Sequence, residues 1–549
     1  MRDPIRNRGV AFSAAERDRL GLTGRLPSAV LTLEEQADRA YIELQAEPTS
    51  LARHVYLEQL HDSNETLYFK VLSGHPAELL PVVAGPTAGD AVRRYSHQHR
   101  GARGIYLSAG RPGDIEKSFA TLGLGAGDVD VIVCTDAEQT PGIGDCGAGG
   151  VQAAAGKLAI YTTCAGIPPD RVIPVSLDVG TDNEALLNDP LYLGNRHGRR
   201  RGREYDAFIR RYVETASRLF PGALLHFEGF RPENARKILQ AYGHGYRVFN
   251  DDLQGTGAVV LAAVYAASRV TGIPIRHQTA LVCGADAATV TIADQLRDAI
   301  VADGATEDQA RSQIWLVGPA GLVFDDTDML RTYQRAYAKT RSGADWPPGA
   351  GPAALAETIG KVTPTILLGT STVPGAFTQP VIQAMCQATS RPLILPMLPV
   401  SAPASATAAT PADVIAWSDG TALLATGSPA SPASTDGRAE DHGATFTNWQ
   451  ANTFLVFPGL ALGVIVSAAA SVTPHMLQAA AAAIAEQAEP SRPGTPLLPA
   501  VRNLRATSAM VAEEVVHAAV ADGVATYNPT NISHAIRDAM WLPAYPDID

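Results

Sequence analysis

The sequence predicts an α/β protein, with a mostly helical N-terminal stretch followed by two regions of parallel sheet covered by helices. Three features predict it. Helix capping and helical periodicity run through the first part of the chain. From Val129 on, short β-branched runs alternate with helical stretches, and two of those runs lead into a carboxylate or a glycine turn. At 549 residues, 46% hydrophobic and 18% charged, the chain is long enough for several cores and too apolar to be disordered or fibrous.

Ser13-Ala14-Ala15-Glu16 has capping-box spacing, in which the hydroxyl and the carboxylate each satisfy a backbone N–H left free at a helix start. Apolar residues then recur at helical intervals through 30–42 and 55–60. The run 129–134, ending in Thr135-Asp136, is the first predicted buried strand. Further strand-like runs follow at 172–177, 223–227, 279–283, 314–317, 365–368, 393–395 and 422–425. The segment 454–472 approaches membrane-spanning length, but Pro458, Gly459 and Gly463 interrupt it, and it reads as a buried strand-turn-helix. Segments 402–412 and 427–443, rich in Ala, Ser, Pro and Gly, read as surface loops.

Lys and Arg total 44 against 56 Asp and Glu, a formal charge of −12, so the overall balance gives nucleic-acid binding no support. The one basic run, 196–203, reads as a solvated loop, with a phosphate clamp as the alternative. Cys134, Cys146, Cys164, Cys283 and Cys386 are scattered and contain no C-x-x-C pair, which indicates neither a disulfide framework nor a zinc site. The N-terminal residues lack the apolar core of a secretory signal. A cytoplasmic protein with no membrane partner is the expectation.

Three places carry candidate chemistry. Lys157 lies among small and apolar residues in Ala153–Tyr161 (153–161), where it must reach solvent, pair with a carboxylate, or lose its proton; burial lowers a lysine pKa and makes the amine a usable base. Asp251 and Asp252 stand side by side just ahead of an apolar helix, either as helix caps or as anions with a cationic partner. Glu228 ends an apolar strand, and with Asp251 and Asp252 it would make an all-oxygen set suited to Mg²⁺ or Mn²⁺. The third place, Gly284-Ala285-Asp286-Ala287-Ala288, follows a strand in the position of a dinucleotide turn. Asp286 would set a negative charge beside a pyrophosphate, and Gly318 stands where an acid would hold a ribose hydroxyl, so this Rossmann-like unit is expected to be poorly equipped for NAD.

At these residues the chain resembles the malic enzyme family, most closely its malolactic branch. The resemblance rests on Gly142-Ile-Gly-Asp-Cys-Gly147, Gly156-Lys-Leu158, Asp189-Pro-Leu-Tyr-Leu-Gly-Asn195, Phe249-Asn-Asp-Asp-Leu-Gln-Gly-Thr256 and Pro374-Gly-Ala-Phe377, in order along nearly the whole chain. It implies a malic-enzyme-like α/β fold: a helical N-terminal domain over 1–127, a catalytic domain over 128–277 completed by C-terminal helices from 455–549, and a Rossmann-like domain over 278–454. It also implies oxidative decarboxylation of malate with NAD(P) and a divalent cation. Lys157 then matches the general base, Asp251 the acid that holds it, Glu228 and Asp252 metal ligands, Gly284, Ala285 and Ala288 the nucleotide turn, and Asn452 a substrate contact. A small carboxylate is the implied substrate, and a homodimer or homotetramer the implied assembly.

The chain departs from the family where the chemistry lies. The carboxylate after Glu228 is replaced by Gly229, the tyrosine motif by Ala84-Gly85-Pro86-Thr87, and the substrate arginine by Gln139. The Ser-Asn-Pro-Thr motif is Leu398-Pro399-Val400-Ser401, and the Asn-Asn pair is Asn452-Thr453. One lost catalytic group commonly costs about 10²–10⁴-fold. The leading expectation is therefore a malic fold repurposed for lyase, decarboxylase or isomerase chemistry on a carboxylate or carbonyl compound. The alternatives are a working NAD- and Mn/Mg-dependent malic or malolactic enzyme, and a non-catalytic binding or scaffold protein.

Overall fold

The structure, a computed structural model, describes residues 3–98, 101, 103–341, 346–370, 376–397, 409–427, 450–488 and 496–547. The N-terminal stretch begins with the expected capping box. Ser13 Oγ accepts the Glu16 N–H, and Glu16 answers by accepting the Ser13 N–H at 2.8 Å. Helices Leu33–Gln45, Ser50–Ser63, Glu65–Gly74 and Pro76–Ala84 follow, burying Leu44, Leu57, Leu72, Leu79 and Leu80 in a shared core.

The first sheet holds β1 (Ile105–Ser108), β2 (Val131–Thr135), β3 (Val172–Asp178), β4 (Leu224–Phe227) and β5 (Val248–Asn250) in the order β1-β3-β2-β4-β5, with every pairing parallel. Two of these strands are absent from the sequence reading. β1 lies inside the stretch expected to be helical and pairs Ile105 with Val175 of β3; β5 is only three residues long, too short for a period to show. From β2 the chain goes to β3 on one side and then crosses to β4 on the other. The topological switch therefore falls between β2 and β4, and their carboxyl ends open onto one crevice.

The second sheet holds β6 (Ala280–Cys283), β7 (Ile314–Gly318), β8 (Gly321–Leu322), β9 (Ile366–Gly369), β10 (Leu393–Pro396) and β11 (Leu423–Leu424) in the order β11-β10-β9-β6-β7-β8. Only β8 runs antiparallel, and the switch lies between β6 and β9. This is the Rossmann-like arrangement that the turn after residue 283 predicts.

The apolar run at 454–472 contains no strand, contrary to the sequence reading: it forms a short turn, Thr453–Leu455, and the helix Phe457–Val466. Pro458 sits in the first turn, where its missing N–H costs nothing. Gly459 and Gly463 are a contact seam rather than breaks. A Cβ at either would come within 2.6 Å of Val511 or Val515 on helix Leu504–Ala521, so these glycines let two helices touch closely. Among the described residues one helical stretch, Asp251–Thr271, is long and apolar enough to cross a membrane by length and composition, and 67% of its most apolar window is buried in the core between the sheets. All five cysteines are free. The Leu398–Ser401 departure (398–401) and most of the two loops expected at 402–412 and 427–443 lie outside the described residues.

Candidate active site

Lys157 rides on helix Val151–Ile160, which follows β2. That helix is seated by Gly156, where a Cβ would come 2.7 Å from Val83 O and 3.2 Å from Ala84, so the N-terminal helix Pro76–Ala84 lies directly against the turn that carries the lysine. Nζ of Lys157 donates to Asp251 Oδ2 at 2.5 Å and stands 3.3 Å from Glu228 Oε2. It also lies over the Phe457 ring, 4.9 Å from the centroid. Burial alone would lower the pKa of this amine. The Asp251 and Glu228 carboxylates overcome that and hold the ammonium above its ordinary range. Of the three outcomes the sequence leaves open for Lys157, the structure shows the pairing with carboxylates.

Asp251 begins the turn Asp251–Gly255, a wide helical turn that leads into helix Thr256–Thr271. Asn250 caps it, accepting the Leu253 N–H at 2.8 Å and donating to Phe227 O at 2.9 Å, which ties the ends of β4 and β5 together. Thr453 donates its hydroxyl to Asp251 Oδ2 at 2.8 Å, while Asp251 Oδ1 is buried without a partner. That oxygen lies against Gly255, where a Cβ would come to 2.0 Å, so a larger residue there would displace the carboxylate.

Glu228 follows β4, at the switch point. Burial would raise its pKa, but Lys157 and His226 hold it below the usual carboxylate range. His226, two residues earlier on the same face of the strand, is fully buried, with Nε2 3.3 Å from Glu228 Oε2 and Nδ1 2.7 Å from the Tyr161 hydroxyl. Asp252 turns the other way and accepts the Gly229 N–H at 2.8 Å. Burial and the neighbouring Glu228 push Asp252 well above the ordinary range. Gly229 has φ of +71° and its carbonyl accepts the Gln139 N–H at 2.9 Å, so both of its backbone groups are engaged.

The structure thus brings Lys157, Asp251, Asp252 and Glu228 together. Among the described residues, the metal-capable groups whose ligand atoms all lie within 4.8 Å of one another are His226, Glu228 and Asp251. Asn452 is nearby in sequence to Thr453, but its side-chain oxygen is committed to the Phe454 N–H at 3.0 Å, capping the short turn. Sequence reasoning misses His226, Tyr161 and Thr453. The His-x-Glu spacing at a strand end is the signal for the first, since alternate strand residues share a face.

The loop after β2 is held by a second buried network. Asp136 accepts from the Tyr205 hydroxyl at 2.6 Å, and burial pushes its carboxyl up to about 6. Arg199 is buried, makes two 2.8 Å hydrogen bonds to Asp145, and donates to Asp136 O at 2.9 Å. Arg201 pairs with Glu138 at 2.8 Å and with Asp182 at 2.6 Å. Part of the basic run is therefore a structural brace, neither a freely solvated loop nor an open clamp.

The glycine turn after β6 faces the switch between β6 and β9. Gly284 has φ of +147°, and a Cβ there would come within 2.5 Å of the Thr289 and Thr370 hydroxyls. Ala285 O accepts from Gln334 Nε2 at 2.5 Å. Asp286 is exposed and caps helix Ala287–Ala302, accepting the Thr289 N–H and hydroxyl, both at 2.8 Å. Ala287 is buried and Ala288 half-buried in the first turn. The turn stands at the carboxyl end of β6 beside the switch, with the exposed Asp286 carboxylate at the start of its helix.

Comparison with known proteins follows the two sheets. Residues 61–243 match the malic enzyme N-terminal domain and residues 253–520 the malic enzyme NAD binding domain. A Mycobacterium tuberculosis protein with the provisional name malate oxidoreductase [NAD] is 58% identical, with 99% of this chain and 97% of that one aligned. NAD-dependent malic enzyme 3 of Bacillus subtilis is 46% identical over 99% of this chain and 95% of its own, and the malolactic enzyme of Leuconostoc mesenteroides 38% identical over 99% and 98%. Among solved structures, the malic enzyme of Entamoeba histolytica superposes with a TM-score of 0.55 at 19% identity, covering 95% of this chain and 92% of that one, which bears on the fold alone. The expectation that Asp286 and Gly318 leave this unit poorly equipped for NAD finds no support in these matches.

Proposed function

The chain belongs to the malic enzyme family, and from that premise we propose that it decarboxylates malate or a close 2-hydroxy dicarboxylate as an NAD- and divalent-cation-dependent malic or malolactic enzyme. The observation that carries this reading is the half-buried Lys157 ammonium held between the buried Asp251 and Glu228 at the switch point of the first sheet. The donor set suits a hard or borderline divalent cation, since three carboxylates and an imidazole face a single ammonium. When bound, NAD would take up hydride from the substrate carbon, and the cation would polarise the substrate oxygens and stabilise the enolate left by decarboxylation.

The chain's own residues supply the proton chemistry. Lys157 must give up its proton before it can accept one from the substrate hydroxyl, and neutralising Asp251 or Glu228 with another cation favours that release. Asp251, itself fixed by Thr453, keeps the amine in place during the exchange. Ala84 puts no phenol at the position the family's tyrosine takes, so the carbon proton returned after decarboxylation is proposed to come from Lys157 or from water. Gly284, Ala285 and Ala288 line the proposed cofactor turn, and Asn452 is proposed as a substrate neighbour. Association into a homodimer or homotetramer is proposed from the family and is measured by sedimentation.

A second reading, non-redox lyase, decarboxylase or isomerase chemistry on a bulkier carbonyl compound, is favoured by Ala84, Gly85 and Gly229. One incubation separates the two. With malate, NAD or NADP and Mn²⁺, reduced cofactor, pyruvate and lactate are followed together, because malolactic turnover leaves no net reduced cofactor. Pyruvate or lactate formation supports the first reading; its absence with saturating cofactor and metal removes it.

A further inference from the structure

A cavity of about 240 Å³ lies on the reverse of the helix that carries Lys157. Helices Ser50–Ser63, Glu65–Gly74 and Val151–Ile160 wall it, and the amino end of β3 reaches it at Val172 and Pro174. Ala155, Leu158, Ala159 and Thr162 line it at one-turn spacing, whereas Lys157 and Tyr161 stand on the opposite face and meet Asp251 and His226. The candidate active site lies at the carboxyl ends of the strands, so the helix itself separates the two places. Thr162 is 1% exposed, and its hydroxyl has no hydrogen-bond partner among the described residues. A buried hydroxyl left without a partner is costly unless something in the cavity meets it.

The polar end of the cavity is short of positive charge. Arg103 is already shared: it donates to Glu58 Oε1 at 3.1 Å, Glu58 O at 2.8 Å, Asp62 Oδ1 at 2.7 Å and His61 Nδ1 at 2.7 Å. A guanidinium can only donate, so His61 Nδ1 accepts and the ring carries its proton on Nε2, 3.3 Å from Glu65 Oε2. Stacking on Tyr68, 4.3 Å between centroids, holds the ring in that pose. Glu58, Asp62 and Glu65 therefore face one guanidinium and an uncharged imidazole. The Glu65 side chain is only 17% exposed, and among the described residues its carboxylate has that single long contact. A carboxylate so enclosed is incomplete without a cation.

We propose that this cavity is a binding site for a small primary amine with an apolar body, its ammonium on the Glu65 carboxylate, its body against Phe69 and Leu158, and a hydroxyl of the body paired with Thr162. The volume is below the roughly 300–1,000 Å³ of sites for drug-sized ligands and suits a molecule of one ring. An anion is disfavoured, because Arg103 has no charge to spare for it. An occupant would rest on the reverse of the lysine helix without entering the active site.

Calorimetric titration of the full chain with tyramine tests this, with 3-(4-hydroxyphenyl)propanoate as a ligand of the same ring and arm but opposite charge. Tyramine should bind saturably, one per chain, and the acid about tenfold more weakly or worse. Glu65→Gln should weaken tyramine about 10–100-fold, the worth of one charged hydrogen bond, and Ala155→Leu, which fills the cavity from the helix, by about tenfold or more. Saturating Mn²⁺ with malate should leave tyramine binding in place. Absence of saturable binding, equal binding of the acid, or an unchanged tyramine affinity in either variant overturns the proposal. Displacement by Mn²⁺ with malate also overturns it, since that places the amine among the active-site carboxylates. If a variant fails to fold, the wild-type comparison of the two ligands and the Mn²⁺ competition decide. Binding is read without turnover, so its outcome is separate from that of the proposed activity.

Discussion

The two sheets open their crevices in the same topological way, yet they fill them with opposite kinds of group. At the first, charges from the end of β4, the turn after β5 and helix Val151–Ile160 converge with the Thr453 hydroxyl in a buried place. At the second, the described residues of the turn and its neighbours are glycine, alanine and threonine, and the charge among them, Asp286, is exposed and occupied in capping a helix. A charge that is buried must be satisfied by neighbours with little freedom to move, so its partners reveal its chemistry. An exposed charge interacts through high-dielectric solvent and changes binding by increments. Departures from the family pattern weigh differently in the two places for that reason.

The sharpest way to break this comparison is at the buried site. Lys157→Ala should lower turnover by about 10²–10⁴-fold. It should also destabilise the fold by about 3–5 kcal/mol, because Glu228, Asp251 and Asp252 are left facing one another. Steady-state rates and thermal melts check both, and added Mn²⁺ should restore part of the melting temperature.

The neighbouring network gives a pH signature. Asp136 titrates at about 6 in the fold, above the roughly 3.9 of an unfolded aspartate, so the folded state binds more protons between those values. The contribution of Asp136 to stability is then fullest below about pH 4 and is lost as pH rises through about 6. Asp136→Asn should gain up to about 3 kcal/mol over wild type above pH ~7, and the gap should close in acid. Melts of both proteins across that range measure it.

A smaller effect is expected at the turn after β5. Gly255→Ala places a Cβ against Asp251 Oδ1 and should cost about 1–3 kcal/mol, with a loss of turnover larger than the loss of stability explains. Smallest is the second crevice. Asp286→Asn keeps the helix cap and removes the charge, so NAD should bind about fivefold more tightly at low salt, with the gain shrinking as salt screens it. Calorimetric titration at two salt concentrations reads this; a change as large as that at Lys157 would erase the contrast between the crevices.

Much of this was legible in the sequence because the signals are local. Eight β-branched or apolar runs mark strands, and the Ser13 box marks a helix start that forms as expected. β1, β5 and β8 were not legible: β1 lies inside a stretch whose pattern reads as helical, and strands of three and two residues are too short for a period to show. Gly459 and Gly463 read as interruptions because their reason, close contact with Val511 and Val515, lies about fifty residues away along the chain. Lys157 was found from its apolar setting, but its charge state depends on Asp251 and Glu228, which no local pattern fixes. His226 and Thr453 join the site through the same long-range closure.

The most direct test of the central claim, that Lys157 held by Asp251 and Glu228 is the acid–base group, is malate turnover by Lys157→Ala with and without added ammonium or a small primary amine. The account predicts a loss of about 10²–10⁴-fold that the amine partly restores. Wild-type turnover in the variant, or a loss that no amine restores while fold, metal and NAD binding stay intact, would contradict it.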